Sequence, residues 1–219
     1  MQLVIIGAGG HGKVVLDILR AAGKHEAIGF VDASPERAGT IVGGLPILGP
    51  ANVLPKLRQQ SIRAAIVAIG DCRARQQYAQ MLIAQGFDLL NAIHPTASVS
   101  PTAVLGRNIV IAAQAAICTE AKLADSVIVN TGAVIDHECE IGESAHICPG
   151  VHLAGRVRIG AGAWIGLGAN VVQCMSVGEY ATVGAGAAVI RDVPPYATVV
   201  GVPARVVKTA SPPDAEPTI

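Results

Sequence analysis

Two places in this 219-residue chain bring together groups suited to chemistry. The first is Gly7-Ala8-Gly9-Gly10-His11-Gly12, a GxGxxG turn. Glycines in such a turn let the backbone approach a diphosphate at a helix N-terminus, where unpaired N–H groups and the helix dipole favour anions. Asp32 follows twenty residues beyond Gly12, the spacing of the acid in dinucleotide-binding folds. The second is a pair of similar strings, His137-Glu138-Cys139 and His146-Ile147-Cys148. Imidazole titrates close to neutral pH and is suited to general-base work. The two strings also have the look of two halves of a tetrahedral zinc site.

The glycine turn needs a strand before it and a helix after it. Leu3 to Ile6 reads as a short buried strand, Lys13 to Arg20 as an amphipathic helix, and Ala27 to Val31 as a second strand ending at Asp32. A loop over 33–50, a short helix over 51–60, a strand over 64–69 ending in Gly70-Asp71, a helix over 73–85 and a strand near 89–92 complete the segment. A full dinucleotide fold uses two mononucleotide-binding halves, and residues 1–92 have room for about one. The turn is therefore read as a nucleotide-diphosphate site. A dinucleotide site, and a turn that serves only strand–helix packing, stay open.

From 93 to 189, every sixth residue is Ile, Val or Leu, and four positions after each the residue is usually Ala. Neither a helical period nor a period of two produces this pattern. A hexapeptide repeat builds a β-helix, in which each hexad forms one short face and stacked coils share a core. The phase argues against zinc: Cys139 falls in the inward Ala series and Cys148 one step after an inward corner, so the two do not converge in one coil stack. No metal is expected. The register never breaks, so no long loop leaves the prism to cover a substrate.

Composition agrees with a narrow aliphatic core, since 51% of residues are hydrophobic and only 3% aromatic. The 16 basic and 16 acidic residues cancel, which gives no support for a nucleic-acid or membrane-surface partner. MQLVIIGAGGHGK is expected to be neither signal peptide nor anchor, and no stretch reaches transmembrane length. Five cysteines without a CxxC pair imply reduced thiols and a cytoplasmic location.

The hexads resemble left-handed β-helix acetyltransferases, in which three hexads make one triangular coil of eighteen residues. An α/β Rossmann-like half domain (1–92) followed directly by such a helix (93–208), with a tail over 209–219 expected to be disordered, is similar to the bacterial sugar acetyltransferases of the PglD/NeuD group. The resemblance runs through GAGGHGK, Ile93-His94-Pro95, the stretch from Asn130 to Cys139, and Gly201-Val202-Pro203-Ala204-Arg205. It implies an N-acetyltransferase that moves acetyl from acetyl-CoA to a nucleotide-linked aminodeoxysugar, with a UDP-4-amino-4,6-dideoxy sugar the leading acceptor. His137 maps to the base and Glu138 to the group that orients it. His146, Gly155, Leu167 and Ala185 map to acetyl-CoA contacts, with Gly155 N–H as an oxyanion donor. Gly9, Gly10, His11, Val31, Asp32, Gly70 and Asn130 map to the nucleotide sugar. Cys72 departs from the Asn of many relatives, which leaves UDP or GDP open. His137 and His146 lie half a coil apart and should project on different sides of one prism, so they meet only between subunits, as the homotrimer typical of the family allows. Sialic-acid O-acetylation, and a non-catalytic trimeric nucleotide-binding scaffold, are the alternatives.

Overall fold

The computed structural model describes residues 1–210. The chain opens with β1 (Gln2–Ile6), whose four buried residues make it the centre of a six-stranded sheet. Then come α1 (Gly10–Ala22), β2 (Glu26–Val31), β3 (Ile41–Val42), β4 (Leu45–Gly49), α2 (Leu54–Gln59), β5 (Ala64–Val67), α3 (Cys72–Ala84) and β6 (Asp88–Leu89). The spatial order is β3-β4-β2-β1-β5-β6, parallel apart from the β3–β4 hairpin. That hairpin lies inside the segment expected to be a loop over 33–50, and Gly43-Gly44, both at positive φ, make its two-residue turn.

Residues from Ala92 onward form a left-handed triangular β-helix. Face I carries the strands at 92–93, 110–111, 128–129, 146–147, 164–165 and 182–183; Ala197–Val200 completes it, with Arg205–Thr209 paired antiparallel at its edge. Face II carries 98–99, 116–117, 134–135, 152–153, 170–171 and 188–189, and face III carries 104–105, 122–123, 140–141, 158–159 and 176–177. Strands pair in parallel with the residues eighteen positions on, as Ile111 does with Val129 and Ile117 with Ile135, until the last coil, where Val183 pairs with Val199. The aliphatic series and the Ala series point inward together, and Cys139 takes an Ala place at 0% exposure. Thr209 belongs to the last strand and Ala210 N–H donates to Tyr196 O, so the expected tail does not start at 209; its remainder, 211–219, lies outside the described residues.

From the third corner onward the prism turns through left-handed residues. From Asn108 to Gly186, each sixth residue has positive φ, and most of these are not glycine: Glu120, Ser126, Glu138, Ser144 and Arg156 are among them. A side chain there is in a region L-residues rarely occupy, held because the ladders on both sides fix the turn.

The sheet domain docks on the corner between faces III and I. Ala92, Val110 and Ile128 of face I share a core with α1 and one side of the sheet. Asn108 Oδ1 accepts from Val67 N–H at 2.7 Å and its Nδ2 donates to Ser126 Oγ at 2.9 Å. The five buried polar residues among those described, Arg75, Asn108, Ser126, Ser144 and His146, all belong to this seam.

Candidate active site

The glycine turn is built by sterics. Gly7 has φ +101°, and a Cβ on Gly12 would overlap the Gly7 carbonyl, so α1 packs directly against the end of β1. Gly9 and Gly10 have nothing within 4 Å of a would-be Cβ and face open space. Among the described residues no side chain caps α1, which leaves its first-turn N–H groups free for an anion. Asp32 braces the turn from below: its carboxylate accepts from Ala8 N–H (2.8 Å), Ser34 N–H (3.2 Å) and Arg37 Nη1 (3.1 Å), while Arg37 Nη2 donates to Ala8 O. Burial works to raise the Asp32 carboxyl, but the Ala8 and Ser34 N–H donors and the Arg37 charge bring it below the ordinary carboxylate range. The Val31 side chain is buried in the sheet and its carbonyl accepts from Gly7 N–H, so this residue shapes the turn from beneath.

His11 lies over that turn. Its Nε2 is enclosed without a hydrogen-bond partner, and burial, then the charges of His146 and Arg75, push its pKa from the ordinary 6.5 down to about 4. Its ring centroid stands 6.3 Å from that of His146.

His146, on face I, is 8% exposed. Its Nδ1 meets Gly70 O at 3.1 Å, its Nε2 meets Asn130 Nδ2 at 2.8 Å, and Trp164 stacks on it at 5.1 Å. A carbonyl only accepts, so Nδ1 carries the proton and Nε2 offers its lone pair to the Asn130 amide. Burial lowers the His146 pKa, with the Arg75 charge acting the same way against the Gly70 hydrogen bond, so the ring is held neutral. Gly70, Asn130 and His146 thus form one hydrogen-bonded unit beside His11, on the side of the glycine turn.

Arg75, on α3, was not among the residues singled out by sequence. It is fully buried and has no carboxylate partner among the described residues. Nε donates to Ser126 O (2.8 Å), Nη1 to Ile69 O (2.8 Å) and Gly70 O (2.9 Å), and Nη2 to Ser144 O. One guanidinium therefore ties the loop after β5 to two successive coils and fixes the carbonyl that orients His146.

His137 sits at the corner between faces II and III, away from the face I seam. Its side chain is 50% exposed, and Nδ1 pairs with Glu138 Oε2 at 2.9 Å. That pairing and a bond from Arg156 Nε hold the Glu138 carboxyl below its ordinary range. The other ring nitrogen, Nε2, lies over Gly155, where a Cβ would overlap the ring. Gly155 N–H makes no hydrogen bond among the described residues. Leu167, 57% exposed, and Ala185 form a ridge at the corner between faces I and II. Within one chain the structure joins His11, Gly70, Asn130 and His146, and separately His137, Glu138 and Gly155. No hydrogen bond or ring contact links the two groups among the described residues.

Residues 2–82 match the family of PglD N-terminal domains. The chain is similar to PerB from Caulobacter crescentus, solved in complex with CoA and GDP-perosamine: 42% identity, 95% of this chain and 98% of that one covered, TM-score 0.91. It is similar to the acetyltransferase domain of PglB from Neisseria gonorrhoeae, at 40% identity over 94% of this chain and 99% of that one, TM-score 0.88. A curated relative, the UDP-N-acetylbacillosamine N-acetyltransferase of Bacillus subtilis (strain 168), is 35% identical over 114 residues, and the match spans about half of it, 51% of each chain.

Proposed function

The chain belongs to the sugar N-acetyltransferases of the PglD and PerB type, and on that premise we propose that it transfers acetyl from acetyl-CoA to the amine of a nucleotide-linked aminodeoxysugar. The observation that carries the reading is the Glu138–His137 pair, whose Nε2 is left unengaged over Gly155. The diphosphate lies on the free N–H groups of Gly9 and Gly10, with Asp32 and Val31 bracing the turn. The sugar extends past His11 towards Gly70 and Asn130. Acetyl-CoA runs along the ridge of Leu167 and Ala185, with His146 on the wall between coenzyme and acceptor. The amine attacks the thioester carbonyl while His137 Nε2 takes its proton and Glu138 holds the ring. Holding nucleophile and thioester side by side supplies much of the rate, and Gly155 N–H is a donor for the developing oxyanion. The intermediate collapses by expelling the coenzyme thiolate, which receives a proton.

Because His137 and the acceptor cradle lie on different sides of one prism, the reaction requires two chains, and a homotrimer provides three such sites. We place the reaction in the cytoplasm, in keeping with five free cysteines. No described helix is long and apolar enough to cross a membrane. The leading acceptors are UDP-linked 4-amino-4,6-dideoxy sugars and GDP-perosamine, the ligand of the PerB structure.

The test is coenzyme A release, read with a thiol-reactive dye, over a panel of UDP- and GDP-linked 4-aminosugars and free sialic acid. Turnover with one nucleotide aminosugar is expected. Turnover with sialic acid alone would make the enzyme an O-acetyltransferase, and silence with acetyl-CoA still bound would favour a nucleotide-binding scaffold.

A further inference from the structure

The turn that follows His137 by one coil holds two unusual neighbours. Gly155 lies beneath the imidazole, and Arg156 bonds to the pair twice: its backbone N–H donates to His137 O at 2.9 Å and its Nε to Glu138 Oε2 at 3.0 Å. That same Glu138 oxygen receives His137 Nδ1. Glu138 and Arg156 occupy equivalent corner positions eighteen residues apart, with φ +57° and +61°, so the stacked left-handed turns aim both side chains from the same place on successive coils.

The charges around the corner divide into two sets. A groove of about 260 Å³ beside it is lined by Glu120, Lys122, Glu138, Glu140, Arg156 and Arg158. Glu140 engages Lys122 (3.6 Å) and Arg158 (3.7 Å), which leaves Arg156 as the cation for Glu138. Asp136 on the same turn accepts from His137 N–H, Glu120 and Cys118 stand on the coil before, and Cys174 N–H meets Gly155 O on the coil after.

Building on the reading of His137 as the base, we infer that Arg156 is a positioning residue that pins the Glu138 carboxylate against His137 Nδ1. It thereby fixes which imidazole nitrogen faces the acceptor amine and limits how strongly Glu138 favours the protonated ring. Arg156 acts through Glu138 and touches no reacting atom. Its side chain is 62% exposed, and exposed ion pairs contribute little to stability, so neutral variants should fold.

The test is steady-state kinetics against pH, varying both substrates, for the full-length enzyme and its R156Q, R156K, E138Q and R156Q/E138Q variants, with melting temperatures as a folding check. In R156Q, kcat should fall about tenfold with both KM values within about twofold, since ring orientation is used in the chemical step. The acid limb of kcat against pH should move to higher pH, because Glu138, no longer shared with a guanidinium, is left to the imidazole alone. E138Q should move that limb to lower pH, the double variant should match E138Q, and R156K should recover part of the loss. A raised acetyl-CoA KM with an unmoved limb would overturn the inference and make Arg156 a contact for the coenzyme phosphates. So would losses that multiply in the double variant. If instead H137A and E138Q both keep kcat within a few-fold, the base assignment itself has failed, and Arg156 has no pair to position.

Discussion

His137 and His146 stand nine residues apart in similar His-x-Cys strings, yet the fold gives them opposite surroundings. His146 points from a face into the domain seam, where Gly70 and Asn130 engage both ring nitrogens and Trp164 covers one side of the ring. His137 points from a corner into the open, with one nitrogen held by Glu138 and the other lying over a glycine. A corner of this β-helix, where the chain already turns through left-handed residues, lets a side chain keep an unengaged atom, and that is the position the proposed reaction uses. The seam does the opposite work: it immobilises groups so that they form a wall.

Substitutions should therefore split the two regions by what they disturb. H137A should lower kcat by about 10²- to 10⁴-fold, the range of a lost general base, with little change in either KM. R75M should act through the seam. It leaves the carbonyls of Ser126, Ser144 and Ile69 without their side-chain donor and Gly70 O with His146 alone, at a cost of about 3 kcal/mol in chemical denaturation, and should raise the acceptor KM more than it lowers kcat.

Acid should also strike the seam first. His11 titrates at about 4 in the folded chain against an ordinary 6.5, so the unfolded chain binds more protons between those values. Stability is then constant with respect to this group above about pH 6.5 and falls as pH is lowered towards 4, by something on the order of 3 kcal/mol. His146, whose pKa is also lowered by burial, adds a loss of the same sign. Melting temperatures across that window should drop in the wild type and drop less in H11N, which keeps the His146 share. The smallest effect belongs to G155A. Its methyl group displaces the His137 ring and should reduce kcat about tenfold while leaving the melting temperature near that of the wild type.

How much of this could be read beforehand followed from how local each signal was. The prism was legible because every inward position announces itself: Ile111, Ile117 and Leu123 face the core in register with Val129, Ile135 and Ile141. The glycine turn was legible because Gly12 is required by the Gly7 carbonyl five residues before it, although Gly7 itself is crowded by Ala68 and Ile69 from the loop after β5. Arg75 was not, since in RARQQ it looks like any polar helix residue. Two of its acceptors lie 51 and 69 positions away, on corners whose carbonyls carry no side-chain signature. The β3–β4 hairpin had a cue in Gly43-Gly44, but two short strands fell below the length at which alternation shows. The left-handed corners were half visible: Gly132, Gly150 and Gly168 share the phase of Glu138 and Arg156, and the non-glycine members concealed the period.

Subunit complementation decides whether His137 of one chain serves an acceptor held by another. H137A removes the imidazole. G10D puts a carboxylate into the open space over the glycine turn, where it repels a diphosphate and suits the start of a helix. The two variants, each inactive alone, are co-expressed with different tags, and mixed particles are purified through both. Recovery of about a third of wild-type activity per site is expected, because in every mixed trimer one of the three interfaces draws its intact half from each variant. Mixed particles with no activity would contradict it and put the whole site in a single chain.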